Sequence, residues 1–193
     1  MTQLPPPTGP FHGAAAGPNV LFVSEELVRA SWDALRVTGA AQVEGVLLWA
    51  TPASFYSSPI QIVTTVVLPR QRVGPGSYEI PPDGVRAMGR SLRGAGLVNV
   101  AQVHTHPGDS VRHSPWDDSH SFSQRDGAIS IVWPRYGLEL PDVEDWGVHE
   151  CRNQTWIRLS KDAAARRLQM VPSKLDLRIP LEWLKDEEGE DDV

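Results

Sequence analysis

The chain has 193 residues, a formal net charge of −6 and 40% hydrophobic residues. This length favours one domain of ordinary size with tails, and the apolar fraction is enough for a single core. The negative charge argues against a general nucleic-acid binder, which would carry a basic excess. No apolar run approaches the roughly 20 residues that a membrane span needs. Because Cys151 is the single cysteine and the first residues do not resemble a signal peptide, we predict a cytoplasmic protein.

The two ends of the chain differ in composition from its middle. Residues 1–19 contain five prolines together with several glycines and alanines, a composition typical of a disordered leader. Residues 185–193 are mostly acidic, which predicts a disordered tail. We therefore predict one folded domain over residues 20–184.

The middle of the chain alternates between strand and helix patterns. The predicted elements begin with a strand at 20–23, a helix capped by Ser24 and ended by Gly39, and strands at 43–50 and 60–68. A helix from Pro81 or Pro82 to about Arg93 and a strand at 97–103 follow. A strand at 128–133, a hairpin over 146–159 and a helix from Lys161, capped by Ser160, to about Met170 complete the series. This order predicts an α+β domain with a central mixed sheet and helices beside it.

The stretch from Val103 to Asp117 concentrates residues that are suited to catalysis or metal binding. His104 and His106 follow an apolar strand and lie two residues apart, so their imidazoles project from the same face. Pro107 ends the strand, because proline cannot donate a hydrogen bond to the sheet. Two imidazoles and the carboxylate of Asp117 suit a zinc ion with one open coordination position.

Each part of this stretch also has an ordinary structural explanation. A His-x-His pair can be polar surface, and Ser114-Pro115-Trp116-Asp117 is a good helix start, with serine at the N-cap and proline next. The two explanations are compatible, since a capped helix holds its third residue in a fixed direction. A second Ser-x-x-Asp, Ser123 to Asp126, more naturally serves a turn. We expect His113 and His120 to be exposed loop residues, with additional ligands or substrate contacts as the alternative.

Together with an acid far upstream, the stretch resembles the JAMM motif of MPN+ (JAB-domain) metalloproteases. That motif is a Glu, a distant His-Ser/Thr-His followed by Pro, seven residues, and Ser-x-x-Asp. The chain matches it at Glu44, at 104–107, at Ser114 and at Asp117, with the same spacing. The resemblance covers about residues 20–159 and is strongest to stand-alone bacterial deubiquitinase-like members. It implies a central curved mixed β-sheet flanked by helices, the MPN/JAB, cytidine-deaminase-like architecture.

The resemblance also implies a role for five residues. His104, His106 and Asp117 would hold one Zn²⁺ per chain, Glu44 would be the general base for attack by zinc-bound water, and Ser114 would donate to the oxyanion. Taken without the resemblance, Glu44 is equally well explained as a strand-edge residue in solvent, because a buried carboxylate needs a partner.

The activity implied by the resemblance is a zinc-dependent isopeptidase or peptidase that hydrolyses the bond after the C-terminal tail of a ubiquitin-like protein. The implied partners are that protein and its conjugates, with cognate activating and conjugating enzymes, and neither nucleic acid nor a membrane. Two alternatives stay open. One is a processing peptidase of a sulfur-carrier protein, and the other is a catalytically silent MPN-type scaffold, against which the complete motif argues.

Overall fold

A computed structural model of the protein describes residues 19–172. The predicted leader, except for its last residue, and the predicted acidic tail lie outside this range, so the limits of the domain stay a prediction. The strands of the described range are β1 Val20–Ser24, β2 Val46–Pro52, β3 Ile60–Ile62, β4 Thr65–Val67, β5 Arg72–Gly74, β6 Ser77–Glu79, β7 Leu97–Thr105, β8 Ile129–Trp133, β9 Gly147–Arg152, β10 Thr155–Arg158 and β11 Leu168–Val171. The helices are α1 Glu25–Ala40, α2 Pro82–Gly94, α3 Pro115–His120 and α4 Lys161–Arg167.

A six-stranded mixed sheet forms the centre of the fold, in the order β10-β9-β8-β7-β2-β4. Within it β7 and β8 are parallel, and the other neighbouring strands are antiparallel. A smaller parallel sheet has the order β11-β1-β3, and β5 pairs with β6 in a separate hairpin. The predicted α+β class, with a mixed sheet flanked by helices, is confirmed.

Both faces of the central sheet are buried, and β7 contributes side chains to the packing on each face. On one face, Val103 of β7 packs in the larger core with Leu27 and Leu35 of α1. On the other face, Met88 and Leu92 of α2 pack in a smaller core with residues of β2. Because side chains alternate along a strand, the residues next to Val103 in β7 face away from α1. This alternation directs the histidine pair at the end of β7 to the α2 side of the sheet.

Two segments differ from the sequence prediction, both because of tertiary strand pairing. The run 60–68 forms two strands instead of one: β3 pairs with β1 in the small sheet, and β4 pairs with β2 in the central sheet. The last helix ends at Arg167, and the next four residues form β11, which pairs with β1 and buries Leu168. Local propensity does not report such a change of partner.

No helix among residues 19–172 combines the length and the apolar character that crossing a bilayer would require.

Candidate metal centre

The end of β7 and the first turn of α3 bring His104, His106 and Asp117 together. All three side chains are buried, and one potential ligand atom from each lies within 4.8 Å of the others. The Nε2 atom of His104 is 3.4 Å from Oδ1 of Asp117, and the Nε2 atom of His106 is 3.2 Å from Oδ2. The carboxylate therefore lies between the two imidazoles, and the three predicted ligands share one site.

The N-cap of α3 determines the direction of the Asp117 side chain. The Ser114 backbone N–H donates to Oδ2 of Asp117 at 2.6 Å, and the Ser114 hydroxyl donates to the same oxygen at 2.8 Å. In return the Asp117 N–H donates to Oγ of Ser114 at 3.2 Å, which completes a capping box. Burial acts to raise the pKa of Asp117, but the nearby imidazoles of His104 and His106 outweigh it and lower that pKa well below its usual range.

The buried nitrogens of this cluster fit a zinc ion. Both ring nitrogens of His104 are buried without a hydrogen-bond partner among the described residues, and an unpaired buried polar atom is costly unless something binds it. The Nδ1 atom of His106 is 3.0 Å from the carbonyl oxygen of Ser110. A proton on that Nδ1 leaves the lone pair of Nε2 free on the side of Asp117, an arrangement in which one metal ion would bind both groups. Two imidazoles and one carboxylate match the donor set of such sites.

Glu44 lies two residues before β2 and is buried, with only 4% of its surface exposed. This burial contradicts the alternative that Glu44 is a strand-edge residue in solvent. Its backbone N–H donates to the carbonyl oxygen of Gly74 at 2.8 Å, and the next N–H, of Gly45, donates to Oγ1 of Thr105 at 3.0 Å. Burial raises the pKa of Glu44 to about 7, with the charge of His106 lowering it and that of Asp117 raising it. A carboxyl group with a pKa near neutrality can both accept and return a proton.

The other Ser-x-x-Asp sequence serves a turn, as predicted. The Asp126 carboxylate accepts from the Asn153 N–H at 2.6 Å, in the turn between β9 and β10. The predicted role of Ser114 as an oxyanion donor stays a prediction, since its hydroxyl is bonded to Asp117.

A second pair of histidines beside the metal centre is absent from the sequence prediction. The rings of His113 and His149 stack with their centroids 4.0 Å apart, and the His113 ring lies 5.6 Å from that of His104. The Nδ1 atom of His113 is 2.9 Å from Oδ1 of Asp118, and its Nε2 is 2.9 Å from Oγ of Ser130. Burial, with charge repulsion from neighbouring histidines, lowers the pKa of each stacked histidine to about 3.

The expected exposure was therefore wrong for His113, whose side chain is only 5% exposed. It was right for His120, which is exposed and stacks on Trp116 with centroids 3.6 Å apart. Tertiary structure brings the second pair together. The register of β8 and β9 places Ser130, the partner of His113, opposite His149. No spacing in the sequence reports that register.

Known proteins that are similar to this chain include a curated relative and several solved structures. No family model matches the chain. A curated relative, "Probable metalloprotease y4jG" of Sinorhizobium fredii (strain NBRC 101917 / NGR234), is 28% identical over 109 residues, which are 54% of this chain and 65% of the relative. The chain thus spans less than two thirds of the length of that relative.

The solved structures similar to this chain have low sequence identity. The solution structure of protein DSY2949 from Desulfitobacterium hafniense is 12% identical, with a TM-score of 0.58 over 79% of this chain and 94% of the other. A JAB1/MPN domain protein from Archaeoglobus fulgidus is 16% identical, with a TM-score of 0.43 over 78% of this chain and 96% of the other. A chain described as JAMM, "a metalloprotease-like zinc site in the proteasome and signalosome", is 16% identical, with a TM-score of 0.41 over 79% and 99%.

The first of these structures supports the fold of the chain. The complete motif, the buried ligand triad and the similarity to a curated probable metalloprotease together confirm the resemblance of this chain to the JAMM/MPN+ family of zinc metalloproteases.

Proposed function

We propose that this protein is a zinc metallopeptidase of the JAMM type. The observation that carries the proposal is the buried convergence of His104, His106 and Asp117 beside a buried carboxyl group, Glu44. Burying a carboxylate without a partner is costly. A histidine cluster with a purely structural role would therefore gain nothing from a buried acid such as Glu44 beside it. A hydrolytic site does need one, as a general base.

Each residue has a defined role in the proposed reaction. His104, His106 and Asp117 hold the metal, which when bound supplies a Lewis acid and lowers the pKa of a coordinated water to about 7. Glu44 accepts a proton from the attacking water and passes it to the leaving amine. The Ser114 hydroxyl turns its single proton from Oδ2 of Asp117 to the carbonyl oxygen as negative charge develops there, while the Ser114 backbone N–H keeps its bond to Asp117. The capping box keeps Ser114 beside Asp117, so the hydrogen-bond donor and the metal ligand keep a fixed relative position.

The proposed substrate is the bond after the C-terminal tail of a ubiquitin-like protein, either an isopeptide or a peptide bond. Support for it comes from the motif resemblance, and the cognate activating and conjugating enzymes are proposed partners on the same ground. The site chemistry agrees with any such bond, because amide hydrolysis requires a metal, a base and an oxyanion donor. The site is equally compatible with processing of a sulfur-carrier protein.

The test is a cleavage screen with the zinc-loaded protein, using fusions of ubiquitin-like proteins and sulfur-carrier precursors to a reporter. We expect the wild type to release the reporter, and Glu44→Gln to bind zinc without cleaving. Mass spectrometry of the released C-terminus identifies the bond. Cleavage by Glu44→Gln would contradict the assigned base, and a zinc-loaded wild type that only binds the fusions would indicate a scaffold.

A further inference from the structure

A turn in the left-handed backbone region lies directly beside the metal centre. Arg135, Tyr136 and Gly137 have φ values of 53°, 56° and 62°. Glycine adopts such values freely, but two consecutive side-chain-bearing residues do so at a cost in conformational energy. A turn of this kind persists only when the surrounding contacts hold it in place.

On one side, the turn is bonded to the segment that follows the ligand His106. The Tyr136 N–H donates to the carbonyl oxygen of His106 at 2.6 Å, and the Arg135 N–H donates to that of Gly108 at 2.9 Å. The Arg135 side chain adds a bond from Nε to Oδ1 of Asp109 at 2.6 Å. The backbone of the ligand His106 and that of Tyr136 are therefore held at a fixed separation.

On the other side, the turn packs against α1. The indole N–H of Trp32 donates to the carbonyl oxygen of Gly137 at 2.9 Å. Gly39 allows this close approach, because a Cβ at that position would collide with the carbonyl oxygen of Tyr136. The turn is thus fixed both to the helix and to the ligand segment.

From this fixed position, the Tyr136 side chain reaches the β5–β6 hairpin. Its hydroxyl donates to the carbonyl oxygen of Pro75 at 2.8 Å, in the hairpin turn. The preceding carbonyl, of Gly74, accepts the backbone N–H of Glu44 at 2.8 Å. A continuous path of hydrogen bonds and covalent backbone thus runs from His106 through Tyr136 and the hairpin turn to Glu44.

The hairpin depends on such contacts for its position. Its two strands have three residues each and pair with one another, outside both sheets. An isolated two-stranded hairpin is marginally stable in water, so tertiary bonds decide where it sits. Further bonds act with the tyrosine bond: the indole N–H of Trp116 donates to the carbonyl oxygen of Tyr78 at 2.9 Å, and the Gln71 side chain, directly before β5, bonds the backbone of Val46 at 2.8 and 2.9 Å. The Tyr78 ring also packs on His104, with centroids 5.1 Å apart.

We propose that Tyr136 is a positioning residue for the general base. Its hydroxyl holds the hairpin turn, and the hairpin turn holds the backbone of Glu44 at a set distance from the ligand His106. The assignment of Glu44 as the base rests on the proposed function, whereas the mechanical link from Tyr136 to Glu44 does not.

The test compares Tyr136→Phe, which removes only the hydroxyl, with wild type and with Tyr56→Phe. Tyr56 is the control because its ring lies under the Arg125 guanidinium, at 4.7 Å, an arrangement that phenylalanine can keep. Amide hydrogen exchange of Glu44, zinc content and cleavage kinetics are measured on each zinc-loaded protein. We expect Tyr136→Phe to exchange the Glu44 amide about threefold to tenfold faster, the range for one lost hydrogen bond.

In the same variant we expect kcat to fall by about fivefold or more while KM stays within about twofold, because a misplaced base affects the chemical step more than binding. Zinc content should stay at the wild-type value. Unchanged exchange at Glu44 would overturn the link, and loss of zinc would show that the hydroxyl supports the whole metal centre instead of the base. If no substrate is cleaved even by wild type, the proposed function fails, and the exchange measurement still decides the link.

Discussion

Two pairs of buried histidines lie side by side on one face of the central sheet, and only one of them forms a metal-binding geometry. In the first pair, His104 has both ring nitrogens unpartnered among the described residues, and its Nε2 lies close to Asp117. In the second pair, both nitrogens of His113 are engaged, one by Asp118 and the other by Ser130. The Nε2 atom of His149 accepts from the His113 N–H at 3.4 Å, and its Nδ1 is the one ring nitrogen of this pair without a partner among the described residues. A metal site thus requires converging free lone pairs, and a high local density of imidazoles is not enough.

The aspartates beside the two histidine pairs differ in burial. Asp117 and Asp118 are adjacent in α3, but the side chain of Asp117 is 2% exposed and that of Asp118 is 52% exposed. The capping box turns Asp117 inward to the imidazoles, whereas Asp118 extends along the surface to His113. His113 joins Asp118 of α3 to Ser130 of β8, and Gln102 of β7 also donates to Oγ of Ser130 at 3.0 Å. The second cluster therefore ties α3, the helix that carries the ligand, to the sheet.

The largest expected difference is between Asp117→Ala and Asp118→Ala. Removing the ligand carboxylate should weaken zinc binding by more than about 100-fold, since changes to supporting residues alone cost 10–100-fold. Asp118→Ala, the matched control, should bind zinc within about tenfold of wild type. Zinc titration by competition with a chelator measures both variants, and equal losses would contradict the distinction between the two acids.

Ser114→Ala should have the next largest effect on zinc. It removes the hydroxyl that bonds Oδ2 of Asp117 but keeps the backbone N–H bond to the same oxygen. Zinc affinity should fall by about tenfold, and the free energy of unfolding by about 1 kcal/mol from the weakened cap. Calorimetry on zinc-free and zinc-loaded protein separates the two effects. A full loss of zinc would mean that the hydroxyl is indispensable for orienting the ligand.

His113→Phe tests the second cluster directly. The phenyl ring can keep the stack on His149, but Oγ of Ser130 loses its bond with His113 and keeps the one from Gln102. We expect the free energy of unfolding to fall by about 0.5–1.5 kcal/mol, the net contribution of one hydrogen bond. Zinc affinity should change less than in Ser114→Ala. Denaturant unfolding and zinc titration give the two values, and a greater loss of zinc would assign His113 to the metal centre.

Glu44→Gln should leave zinc affinity unchanged and alter the pH dependence of stability. The pKa of Glu44 rises from 4.5 to about 7 on folding because of burial, so the folded zinc-free protein becomes less stable as pH rises through that window. The amide cannot ionise, and the zinc-free variant should therefore be more stable than wild type by about 1–3 kcal/mol at pH 8. The difference should vanish at pH 4. Thermal unfolding across this range checks the prediction, and parallel curves would refute it.

The elements that sequence patterns predicted well are local. The strand β7, the spacing of His104 and His106 at its end, and the cap from Ser114 to Asp117 all depend on residues a few positions apart. Backbone alternation and helix capping act over that distance, so a linear pattern reports them. The segment 60–68 was predicted less well, because its division between two sheets depends on β1 and β2.

The sequence by itself therefore determined which residues could bind a metal and in which direction two of the three ligands point. Only the tertiary structure decided that Glu44 is buried beside them, that His113 stacks on His149, and that Tyr136 bonds to Pro75, 61 residues away. The physical reason is that burial and long-range hydrogen bonds depend on how the sheets and helices pack together. A nearest-neighbour pattern contains no information about that packing.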